Sequence, residues 1–129
     1  MCSNIFACTN GTYIEADSKL SAIATFLDEL EGDPAAPALL LTMVDQIRSI
    51  VADGIDADAP RQLDSAALRR CLRVLRDSIA GLARDRSPSE TAWQKVRRDH
   101  HRCRTEFTRF ARQLCTCGRS QHNTLAAVA

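Results

Sequence analysis

The chain has 129 residues, 45% hydrophobic and 26% charged, a make-up that fits one globular domain and excludes both a disordered chain and a pair of full-sized domains. Its 17 Lys and Arg nearly balance 16 Asp and Glu, for a net charge of +1, which counts against a nucleic-acid binder that relies on an overall positive field. No apolar run approaches the ~20 residues of a membrane span, and only 5 Gly and 4 Pro leave the composition tilted towards helix.

Met1 to Phe6 show neither the basic stretch nor the long apolar stretch of a secretion signal, so the expected setting is the cytoplasm. Residues 1–16 read as an irregular N-terminal arm. Asn10-Gly11 lies between Ile5-Phe6-Ala7-Cys8 and Tyr13-Ile14, which is the local signal for a tight hairpin turn. An isolated hairpin is marginal in water, so an arm laid across the helices is the competing reading.

From Asp17 the apolar period becomes helical. Leu20, Ile23, Leu27 and Leu30 share one stripe, and Gly32 is the expected stop. Asp33-Pro34 opens a second helix with Leu40, Met43, Ile47 and Ile50 on its stripe, and Gly54 to Pro60 is expected to be a polar loop. The third helix carries Leu68, Leu72, Leu75, Ile79 and Leu82. The fourth is expected to start with Ser87 as cap, Pro88 in the first helical position and Glu90 three residues after the cap. Trp93, Val96, His100, Cys103, Phe107, Phe110 and Leu114 then repeat every 3.5 residues on average, the spacing of a coiled-coil seam. This helix should run to about Thr116, with Gly118 as a stop and residues 118–129 as a loose tail. Four amphipathic segments over residues 17–117 with short links predict an all-α, antiparallel four-helix bundle.

Charge divides the chain. Residues 1–60 hold ten acids and two bases, a net of −8, whereas residues 61–129 hold six acids and fifteen bases, a net of +9. Neighbouring helices of opposite sign can neutralise each other, or the basic half can receive an acidic partner.

Few residues carry a signal for chemistry. There is no Gly-rich phosphate loop, no H-E-x-x-H, no G-x-S-x-G and no Glu-x-x-His pair for a di-iron bundle. No enzymatic activity and no cofactor are therefore expected. Of six cysteines, Cys115 and Cys117 with His122 resemble a soft-metal clip for zinc or copper, which Cys2 and Cys8 would have to complete. His100 and Cys103 have the residue types of a base and a thiol nucleophile. Their seam position points instead to a core histidine hydrogen-bonded to a polar neighbour, and to a thiol acting as a small hydrophobe.

Two surfaces are candidates for binding. On the fourth helix Arg98, Arg102, Arg109 and Arg112 form one outward stripe, flanked by Arg97 and Arg104, and Arg69, Arg73 and Arg76 form another on the third. The second helix adds Leu39, Leu41, Val44 and Val51 beyond its own stripe, an apolar flank that a partner, a second copy or the N-terminal arm would cover. The expected function is a small protein-interaction module. It would bind or sequester a partner, for example a transcription regulator, or associate with itself as a homodimer. Metal or redox sensing and nucleic-acid binding by the third and fourth helices are the alternatives.

Overall fold

A computed structural model describes residues 11–59 and 62–114. It contains four helices: α1 (Gly11–Leu30), α2 (Ala36–Ala57), α3 (Ala66–Arg84) and α4 (Glu90–Arg112). Each packs on the next in sequence, and α4 closes the ring against α1. Contacts across the seams fix the directions. Lys19 reaches Gln46, Asp45 meets Arg76, Gln113 meets Asp64, and Asp28 meets Arg97. A second contact at each interface is made by Tyr13 with Asp58, Val51 beside Leu72, Lys95 with Ser78 and His100 with Leu20. Numbers rise on one helix as they fall on the next, so the bundle is antiparallel, up-down-up-down.

The expected seam of α4 is buried at all seven positions, from Trp93 to Leu114. So are the five stripe positions of α3. A 3.5-residue repeat keeps one ridge facing the bundle axis over the whole length, which is why these stripes were legible in advance.

Helix α1 starts six residues before Asp17, which corrects the arm expected over residues 1–16 at residues 11–16. Tyr13 and Ala16 extend the stripe upstream, and both are buried. The Tyr13 ring packs on Phe110, with centroids 5.6 Å apart and planes tilted by 60°, and its hydroxyl donates to Asp58 Oδ2 at 3.0 Å. These tertiary contacts hold residues 13–16 against the other helices. Residues 1–10 lie outside the described residues, as does the tail from residue 115.

At the other end of this contact, α2 runs through Gly54 to Ala57 instead of ending there. A Cβ at Gly54 would stand 2.7 Å from Tyr13 Cζ, so this glycine admits an aromatic ring against the helix backbone. Gly32, by contrast, has φ +89° and ends α1 as expected. Asp33 follows as a turn residue, its carboxylate accepting from the Ala35 amide at 2.8 Å.

The cap of α4 also shifts. Ser89, not Ser87, is the N-cap, and its hydroxyl accepts from the Ala92 amide at 3.2 Å. The Ser87 amide is held by the Asp85 carboxylate at 3.1 Å, so the chain is still turning there. The helix ends at Arg112, four residues short of Thr116, and a tight turn follows through Gln113.

Candidate interaction surface

The apolar flank of α2 does not exist as one surface. Val44 and Val51, at 0% and 1% exposure, belong to the core, Leu41 is partly buried against it, and only Leu39, at 41%, stands out in solvent. The observed ridge of α2 is Leu40, Val44, Ile47 and Val51, with Met43 and Ile50 packed at its edge. A helix in a closed bundle faces two neighbours, so its apolar arc is wider than a single stripe. The surplus read from the sequence fills the seams with those neighbours.

The arginines sort into two sets. Arg76, Arg97 and Arg104 reach across the bundle seams to the acidic half of the chain. Arg76 Nε lies 2.8 Å from Asp45 Oδ1. Arg97 bridges α4 to the end of α1: it donates to Asp28 Oδ1 and to the Leu27 carbonyl, both at 2.7 Å, and reaches Glu31 Oε1 at 3.4 Å. Its guanidinium thus pairs with two acids and satisfies a carbonyl near the C-terminal end of α1, where the helix dipole favours a cation. The Asp28 hydrogen bond, opposed by partial burial and aided by Glu31, raises the Arg97 pKa above its usual value. Arg104 reaches Ser21 Oγ at 3.5 Å.

The outward stripe behaves differently. Arg98, Arg102, Arg109 and Arg112 are all exposed. Arg109 pairs with Glu106 on its own helix at 3.0 Å. Arg98, Arg102 and Arg112 have no acidic side chain within ion-pair distance among the described residues. All 16 Asp and Glu of the sequence fall within those residues.

Between α3 and α4 lies a polar cluster that the sequence did not announce. Ser78 and Asp99 are buried in contact with each other, the hydroxyl donating to Asp99 Oδ2. Lys95 donates to Ser78 Oγ at 2.8 Å and to Asp99 Oδ2 at 3.4 Å from the rim. The i,i+4 spacing of Lys95 and Asp99 was a usable hint, but Ser78 joins only through the packing of α3. No buried side-chain nitrogen or oxygen among the described residues, this cluster included, lacks a hydrogen-bond partner.

His100 and Cys103 sit in the core, as their seam position predicts. His100 is buried, and its Nε2 donates to the Leu20 carbonyl at 2.7 Å, which places the proton on that nitrogen. Burial lowers its pKa, as do Arg104 and His101, while the hydrogen bond to Leu20 acts the other way. Cys103 is buried and its thiol is pushed up to about 12, by burial first and then by Cys71 and Asp99. Cys71 is raised as well, by burial and by Glu106. Both are therefore thiols, not thiolates, at neutral pH. Among the described residues no group of three or more His, Cys, Asp or Glu could hold a metal ion. Cys115, Cys117 and His122, with Cys2 and Cys8, lie outside those residues.

No helix among the described residues is long and apolar enough to cross a membrane. No family model, no curated protein and no solved structure matches this chain.

Proposed function

We propose that this chain is a non-enzymatic helical interaction module that docks the acidic surface of a partner protein on the outward stripe of α4, formed by Arg98, Arg102, Arg109 and Arg112. One observation carries the reading: Arg76 and Arg97 are engaged by acids of the neighbouring helices, while the stripe is left with one local partner. An exposed guanidinium presents a planar fork of donors suited to carboxylates, and four on one face make a recognition surface with defined spacing. Sequestration of a regulator, such as a transcription regulator, is the cytoplasmic role that such a module would fill. No cofactor enters this reading.

Nucleic acid is the second reading, because phosphates would suit the same stripe. It is less favoured because the net charge is only +1 and because Trp93, Phe107 and Phe110 are core residues that offer no stacking surface beside it. Self-association through α2 loses support with the burial of Val44 and Val51.

Affinity capture from native cells with the wild-type chain and with the Arg102→Glu/Arg109→Glu double variant tests the proposal. A partner protein retained by the first and lost from the second, with unchanged circular dichroism, is the expected result. Equal capture by both overturns it. Steeply salt-dependent binding to a DNA duplex, lost in the same variant, would favour the second reading.

A further inference from the structure

A different face of the molecule holds a groove of about 350 Å³ between α2 and α3. Buried Val51 and Leu72, with half-buried Ala52, give it an apolar floor. Arg48 from α2 and Arg69 and Arg73 from α3 line its rim, and no acidic side chain lines it. From this juxtaposition of three guanidinium groups and an apolar floor, we propose that the α2–α3 groove binds a small organic anion with an apolar body, of the aryl or acyl carboxylate, sulfonate or phosphate-monoester class.

The charge balance around the groove supports an anion. Arg73 has no acid within ion-pair distance among the described residues, and Arg69 directs its Nε to Ser65 Oγ at 3.1 Å, leaving its terminal nitrogens for other acceptors. Arg48 lies 3.7 Å from Asp45, but that carboxylate is already held by Arg76 at 2.8 Å. Residues 1–10 and 115–129 contain no Asp or Glu. Three like charges around one concavity repel each other, and a bound anion converts that repulsion into attraction.

Size and floor define the rest of the ligand. The volume falls within the range of small-molecule sites. A bare inorganic ion would meet only the rim. A flat or branched apolar body would also pack on half-buried Ala52 at the floor, and this contact adds to the charge-assisted hydrogen bonds at the rim. The groove and the α4 stripe lie on different helix faces, so this inference does not rest on the proposed docking of an acidic protein.

Naphthalene-2-sulfonate, titrated into nitrogen-15-labelled full-length protein, provides the test, with naphthalene-2-methanol as the uncharged control and inorganic phosphate as the control without an apolar body. Saturable amide shifts confined to residues 48–52 and 69–73 are expected for the sulfonate, with weaker binding of both controls. The Arg69→Gln/Arg73→Gln variant should bind about tenfold more weakly or worse, and its spectrum reports at once whether it remains folded. The Arg102→Glu/Arg109→Glu variant should bind the sulfonate as the wild type does. The inference is overturned if the alcohol or phosphate binds as tightly as the sulfonate. It also fails if the Arg69/Arg73 variant keeps wild-type affinity while folded, or if the shifts scatter over the outer arginines of α4.

Discussion

His100 shows how one buried side chain makes stability depend on pH. Its pKa is lowered in the folded protein, chiefly by burial, whereas an unfolded histidine titrates near 6.5. Below that value the unfolded chain takes up a proton that the folded chain resists, so the unfolded state is favoured as pH falls. Stability is therefore complete above pH ~6.5 and declines below it until the folded pKa is reached. Urea unfolding at a series of pH values should show this decline, and His100→Gln, which keeps a donor for the Leu20 carbonyl but cannot charge, should flatten it. Asp17, whose carboxyl burial raises in pKa, contributes with the opposite sign and is common to both proteins. An equally steep decline in the variant would remove the histidine from this account.

Two glycines with the same helical setting should respond oppositely to alanine. At Gly81 an added Cβ meets nothing within 4 Å, so Gly81→Ala should stabilise by about 0.4–1 kcal/mol through helix propensity and a less flexible unfolded chain. At Gly54 the same atom would collide with the Tyr13 ring, which is itself fixed against Phe110. Gly54→Ala should cost about 1–3 kcal/mol despite its better propensity, as overpacking does. Denaturant midpoints of the two variants on opposite sides of the wild type are the expected readout.

At the scale of single elements, the start of α4 separates pattern from geometry. Ser87 and Ser89 flank Pro88, and both sit in plausible cap sequences, but only the Ser89 hydroxyl accepts a helix amide. Ser89→Ala should lower stability by about 1 kcal/mol, the ordinary value of a lost N-cap. Ser87→Ala should leave the thermal midpoint nearly unchanged. The reverse order of the two would return the cap to Ser87. The α2 ridge carries the same lesson in another form. Leu40, Met43, Ile47 and Ile50 satisfy a 3.5-residue period, and so do Leu40, Val44, Ile47 and Val51. Only contact with two neighbouring helices makes the second set the centre of the ridge.

For the molecule as a whole, the separation of charge along the chain has a structural outcome. Acidic α1 and α2 pack against basic α4 and α3, and Asp28, Glu31 and Asp45 are matched by Arg97 and Arg76. Exposed pairs of this kind contribute little each, since solvent screens them and ordering long side chains opposes them. Arg97 is set apart from the others by its backbone acceptor at Leu27. Arg97→Ala should therefore lower the urea midpoint, while Arg98→Ala, one residue on and without such partners, should not. Equal midpoints for the two would mean that the α1–α4 bridge is only a surface contact. The arginines of the α4 stripe and around the α2–α3 groove form no ion pair with another helix among the described residues.

Helix number, fold class and the apolar ridges of α1, α3 and α4 were decided by the sequence alone, because hydrophobic periodicity and punctuation by Gly32 and the Ser-Pro-Ser segment are local properties. The stripe Arg98, Arg102, Arg109 and Arg112 was legible for the same reason: it is the arc opposite the ridge. Tertiary structure alone decided the rest. It drew Gly11 to Ala16 into α1 through the Tyr13 ring, carried α2 past Gly54, took Val44 and Val51 into the core, and gathered Ser78, Lys95 and Asp99 from two helices. Each of these depends on atoms far apart in sequence meeting in space, where burial and close packing outweigh the preferences of a short segment.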